Sequence, residues 1–291
     1  NSAISLSGIA DLQKTNGEGT NIGEAQRTTG SVGLLFEHDL DRFSYEISTR
    51  KEFSNVYESP LLFSLTSKYE VTDFYGLRMN FSRNYRITSF NDLFWNTGGN
   101  LELNPEESLQ AELGQALRFK DFTFGLTGYI IEIDNLLRWV PGEDGFWRPE
   151  NTVSVRNYGL EAVLEWSKSF GSHQLNFAGT YAFTKSRDLA LDKDLIYVPR
   201  NKATGSVSYR FERISAYYQF LYNGAVYTSS DNNYTLEGYT LSNLGFEYRL
   251  LKNRNLVLGV EIKNLWNTTY QSMPSRPMPG RSINSKLTFK F

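Results

Sequence analysis

Three of the chain's five tryptophans stand close to arginines in stretches that are otherwise polar and turn-rich. RITSFNDLFWNTGGN carries Arg86, Asn91, Asp92 and Trp95, and LLRWVPGEDGFWRP carries Trp139, Phe146, Trp147 and Arg148. LIYVPRN adds Tyr197 and Arg200, and SMPSRPMPGR adds Arg276. Aromatic rings supply flat apolar area for stacking, while a guanidinium binds oxygen anions in a planar fork. Together these types suit a bulky, partly anionic chelate. The competing reading of any one of them is a loop core or an interfacial belt of Trp and Tyr.

Other reactive types are thinly spread. Asp188, Asp192 and Asp194 in SRDLALDKDL, with Glu143 and Asp144 in PGEDG, offer the hard oxygens that hold Ca2+. Loop carboxylates of this kind are more often solvated surface charges. The two histidines, His38 and His173, sit beside short turns. No nucleophile elbow or HExxH helix appears, so no catalytic residue and no protein-held metal or cofactor is assigned. Gly98-Gly99 lies between strand and strand, not strand and helix, which gives phosphate cradling little support.

The candidates must be positioned by an all-β framework. Aromatic residues make up 15% of the 291 residues and Gly numbers 23, a mixture that favours twisted sheet. Mean hydropathy is −0.43, and no apolar run approaches the ~20 residues a spanning helix needs. A net charge of −2 leaves no basic footprint for nucleic acid. With zero Cys, disulfide scaffolds and thiolate metal sites are ruled out. The first residues show no initiator Met, charged n-region or apolar h-region, so a signal peptide is expected to be removed or to lie upstream.

Period-2 alternation recurs along the chain. In NLVLGVEIKN, Leu256, Leu258, Val260 and Ile262 share one face, with Gly259, Glu261 and Lys263 on the other. RFSYEIST, DFTFGLTGYI, YGLEAVLEW, HQLNFAGTYAF and RISAYYQFLY behave alike. The pattern predicts fourteen strands, near 2–12, 28–38, 43–53, 60–70, 74–86, 108–119, 122–138, 151–167, 172–187, 202–211, 213–228, 239–250, 255–264 and 282–291. Their connections alternate between short (DLDR, VTD, KD, SKSFGS, ER, LKNR) and long (13–27, 54–59, 87–107, 139–150, 188–201, 229–238, 265–281). An antiparallel transmembrane β-barrel with periplasmic turns and extracellular loops gives that parity. Soluble sandwiches use strands nearer five or six residues, whereas most of these reach the ~9–11 that a tilted membrane strand requires.

SRNYRITSFNDLFW, GGNLELNPEESLQAELG, TGYIIEIDNLLRW, SVRNYGLEAVLEW, IKNLWNTTYQ and RPMPGRSINSKLTFKF, in that order and spacing, resemble the C-terminal barrel of TonB-dependent outer-membrane receptors. The resemblance covers residues 74–291 best, and cobalamin and ferric-siderophore receptors are the nearest types. It implies a 22-stranded barrel in a bacterial outer membrane, of which this chain holds the last strands. An N-terminal plug and a TonB-contacting segment, absent here, are implied with it. Outer-membrane lipid, the TonB complex, the barrel-assembly machinery and a surface lipoprotein are the implied partners. The alternating end, Leu287, Phe289 and Phe291, resembles the signal read during assembly. The implied function is import of a scarce metal chelate, with Arg86, Trp95, Trp139, Trp147, Arg148, Tyr197 and Arg276 as candidate ligand contacts. The alternatives are an independent 14-stranded porin or an outer-membrane enzyme.

Overall fold

The computed structural model describes residues 2–250 and 256–289. Hydrogen-bonded neighbours follow chain order along a path of fourteen long strands, and the chain divides into two compact units. The first comprises Asn1–Gly114, Gly128–Tyr158 and Ser186–Asp192. The second comprises Gln115–Thr127, Gly159–Lys185 and Lys193–Phe291.

In the first unit, β1 (Ser2–Gly19), β2 (Gly23–Leu40), β3 (Phe43–Ser54), β4 (Leu61–Thr72) and β5 (Tyr75–Arg86) pair antiparallel in sequence. A short helix, α1 (Phe90–Phe94), follows β5. β6 (Glu106–Phe119), β7 (Phe122–Pro141), β8 (Trp147–Phe170) and β9 (His173–Asp188) give residues to both units. The second unit continues with β10 (Lys193–Asp194), β11 (Asn201–Phe211), β12 (Ile214–Asn223), β13 (Val226–Tyr227) and β14 (Thr235–Leu236). It ends with β15 (Tyr239–Arg249), β16 (Leu256–Lys263), β17 (Gln271–Met273), β18 (Arg276–Pro277) and β19 (Ser282–Phe289).

Register sorts the alternating side chains onto two faces. Leu244 opposes Ile262, Phe246 opposes Val260 and Tyr248 opposes Leu258, and the apolar row continues from Leu258 to Leu287 and from Ile262 to Ile283. Leu258 is 42% exposed and Leu287 66% exposed. An apolar face left open in this way costs free energy in water and none in hydrocarbon. The opposite face carries Gly259, Glu261, Asn284 and Lys286. In the first unit the polar side is cross-linked by Ser48 to Ser64 at 2.7 Å and Asn80 to Thr66 at 2.9 Å. His38 and His173 sit at the short-turn ends, His38 edge-on to Tyr45 and His173 stacked on Phe211 at 4.2 Å.

Several expected loops are strand. Residues 13–27 hold only a three-residue turn, 20–22, closed by Ile22 N–H on Gly19 O at 3.3 Å with Gly23 at φ +64°. Every residue around that turn is paired, from Gly19 opposite Gly23 to Thr15 opposite Arg27. A ladder that is wet on both faces has no need of apolar alternation, so its polarity imitated a loop. The 139–150 connection likewise shrinks to Gly142–Phe146, closed by Gly142 N–H on Phe146 O at 2.8 Å. The 213–228 strand instead breaks after Asn223, where a Cβ on Gly224 would stand 2.8 Å from Asn201 O and one on Gly238 2.8 Å from Asn223 O, and β13 turns to pair with β14. The LKNR turn at 251–254 and Phe291 lie outside the described residues.

Candidate ligand site among the loops

The 87–105 connection is organised by one carboxylate. Ser89 caps α1 by accepting from Asp92 N–H, while Asp92 Oδ2 accepts from Ser89 N–H and from its hydroxyl, each at 2.8 Å. This reciprocal box satisfies donors that a one-turn helix leaves orphaned. Asp92 Oδ1 then accepts from Trp139 Nε1 at 2.9 Å, fastening the helix to β7. Burial raises the Asp92 carboxyl's affinity for a proton, but the Ser89 and Trp139 hydrogen bonds, aided by the Arg86 charge, outweigh it and hold the group below the usual carboxylate range.

Further ties fix the loop from its other sides. The Arg27 guanidinium donates to Thr88 O at 2.6 Å and lies 5.0 Å from the Phe90 ring centroid. Asn96 donates to Thr20 O and Asn21 O, both at 2.8 Å, so the turn of the β1–β2 hairpin supports the loop. Asn104 and Asn151 exchange hydrogen bonds at 2.8 and 3.0 Å. A Cβ on Gly98 would stand 3.0 Å from Trp147 O, and one on Gly99 would stand 2.6 Å from Leu93 O. Both N–H groups close on Trp95 O, so these glycines serve close backbone approach and keep no donor for a phosphate.

These ties surround a cavity of about 450 Å3 lined by Ser89, Asn91, Asp92, Trp95, Thr97, Trp139, Phe146 and Trp147. Of the seven candidate contacts, Trp95, Trp139 and Trp147 line it. Trp139 and Trp147 reach it from strand ends, not from a loop as expected. Arg86 and Arg148 do not line it: Arg86 donates to Leu137 O at 2.6 Å and Glu106 at 3.1 Å, and Arg148 grips both oxygens of Asp144 at 2.9 and 2.6 Å. The Arg148 bonds hold the Asp144 carboxyl down at about 2 and raise the Arg148 guanidinium in turn. Tyr197 and Arg276 belong to the second unit. Tyr197 adopts φ +59° with its N–H on Tyr227 O at 2.9 Å, and Arg276 lies exposed on β18.

Four of the five loop carboxylates weighed for Ca2+, Asp144, Asp188, Asp192 and Asp194, are tied to cations. Asp188, 3% exposed, accepts from Ala190 and Leu191 N–H and faces Arg138 at 3.5 Å. Asp192 pairs with Arg187 at 2.6 Å, and Asp194 with Arg200. Sequence reasoning missed the roles of Ser89, Thr97 and Arg27. The Ser-x-x-Asp spacing of Ser89 and Asp92 is a capping signature that marks the first; Arg27, on the misread ladder, had no local signal.

One family model matches most of the chain. Residues 6–265 fit the TonB dependent receptor-like, beta-barrel family. The chain belongs to this family. Among curated relatives, a vitamin B12 transporter of Photobacterium profundum is 27% identical over 277 residues, which is 94% of this chain and 45% of the transporter. The metal-pseudopaline receptor of Pseudomonas aeruginosa is 25% identical over 243 residues, 77% of this chain and 32% of the receptor. The ferric enterobactin receptor of Pseudomonas aeruginosa, solved with enterobactin, superposes with TM-score 0.80 at 17% identity, covering 100% of this chain and 52% of the receptor. That likeness shows the fold. The chain thus spans about half the length of the relatives it matches. As a TonB-dependent receptor barrel it resides in the bacterial outer membrane, which accounts for its open apolar face.

Proposed function

We propose that the chain is the C-terminal part of the barrel of a receptor that imports a scarce metal chelate, a ferric siderophore or a cobalamin, with energy from the TonB system. The observation that carries this reading is the aromatic cavity fixed among the loops of a chain matched to the receptor family over residues 6–265. The remaining strands, the plug and the TonB-contacting segment belong, in this reading, to the half of the relatives' length outside this chain. The loops at 87–105 and 142–146 face the exterior, and the short turns face the periplasm. The assembly machinery reads β19 with Leu287 and Phe289, and a surface lipoprotein is a further partner. No catalysis is assigned.

Titration of the purified full-length receptor with vitamin B12 and with ferric siderophores tests the reading. Binding is expected, and replacing 142–146 by a glycine-rich turn of equal length, which removes the Phe146 ring, should weaken it about tenfold while the barrel still assembles. A passive porin would bind neither and would only gain conductance. No chelate binding at micromolar concentration would overturn the receptor reading. For orientation, Glu143→Cys should label on intact cells and Asp73→Cys should not.

A further inference from the structure

We propose that the cavity at Asp92 receives an uncharged ring group of the ligand and disfavours multiply anionic chelates. This deepens the receptor reading and rests on it. Arginine beside tryptophan in the sequence suggested anion capture, but the geometry has spent those charges internally. Arg86 ends on Leu137 O and Glu106, and Arg148 is clamped at two points by Asp144. Among the described residues no Lys or Arg lines the cavity, and its ionised wall group is Asp92. The three donors on Asp92 orient its carboxylate without cancelling its charge.

The rest of the wall points the same way. Four aromatic side chains, Trp95, Trp139, Phe146 and Trp147, share the wall with Asp92, and the nearby Arg86 charge is already engaged by Glu106 and Leu137 O, so an anion entering here meets the Asp92 carboxylate with little to offset it. An uncharged flat group gains stacking area at no such cost. The volume of about 450 Å3 falls within the range of small-molecule sites and holds one ring system of a larger chelate, so the cavity selects a part of the ligand and not its whole.

The test uses the full-length receptor and two probes, cyanocobalamin, which is uncharged overall, and ferric enterobactin, a multiply anionic tris-catecholate. Three forms are titrated by calorimetry: wild type, Trp147→Ala and Asp144→Ala, each checked for barrel assembly by its heat-dependent gel shift. The expected result is tighter binding of cyanocobalamin by the wild type and a loss of about tenfold in Trp147→Ala. Asp144→Ala, which releases Arg148, should raise affinity for the tris-catecholate about tenfold and leave cyanocobalamin within about twofold. Tighter wild-type binding of the tris-catecholate overturns this inference and leaves the receptor reading standing. So does cyanocobalamin binding that ignores Trp147→Ala. If neither probe binds at micromolar concentration, the receptor reading falls, and this inference falls with it.

Discussion

In the first unit the Trp139 indole donates to Asp92; in the second the Tyr217 phenol donates to Glu261 at 2.9 Å. Both pairs join an aromatic donor to a carboxylate, yet different things hold them. Asp92 is fixed by a capping box on a helix of five residues, so its place depends on the three hydrogen bonds it exchanges with Ser89 and the one it accepts from Trp139. Tyr217, Gly245 and Glu261 stand in one row across β12, β15 and β16. The Tyr217 ring lies directly over Gly245, which has no Cβ to obstruct it. The wall pair is therefore set by sheet register and a missing methyl group, and the loop pair by side chains that hold one another.

That contrast predicts large global effects on the wall and small local ones in the loop. Leu258→Arg, on the apolar face, should destabilise the barrel by about 2–4 kcal/mol at the bilayer midplane in a vesicle folding assay, whereas Glu261→Gln should change it little. Equal tolerance at both positions would break the assignment of faces. Gly245→Val drives a branched side chain into the Tyr217 ring and should cost about 1–3 kcal/mol in urea unfolding. If Tyr217→Ala in the same background fails to recover part of that loss, the ring is not the obstacle.

Smaller effects are expected at the loop. Asp92→Ala leaves Trp139 Nε1 and Ser89 N–H without their acceptor and should cost about 1–2 kcal/mol locally. The readout is a shift in tryptophan emission with the global unfolding midpoint unchanged; a moved midpoint would place the loop in the cooperative core. Smallest is the response to pH. Because the folded Asp92 carboxyl titrates below its ordinary value, its contribution is complete above the usual carboxylate pKa and is lost as pH falls through the lowered one. Tryptophan emission should stay flat from pH 8 to about 5 and change only under stronger acid. A change near pH 6 would sink the assignment.

The strands were readable where the membrane imposes alternation. Leu256, Leu258, Val260 and Ile262 announce a face because one side must be apolar and the other need not be. Outside that band the same ladder continues with no such demand, which is why Thr15, Asn16, Gln26 and Arg27 have the composition of a loop although all are paired. Ring-bearing residues of the cavity were visible as types. Their partners were not, because Trp139 meets Asp92 across 47 positions and Arg27 meets Thr88 across 61. The pairing of Arg148 with Asp144 lay four positions apart and was within reach of the sequence.

The internally matched arginines also bear on how a ligand arrives. Opposite charges held at contact distance make dipoles whose field fades quickly, so Arg86, Arg138, Arg148 and Arg187, each paired with a carboxylate, project little long-range attraction into the medium. In the proposed receptor these four arginines add little electrostatic steering to the encounter, and freeing one of them by removing its carboxylate should make the association rate with an anionic ligand more sensitive to salt.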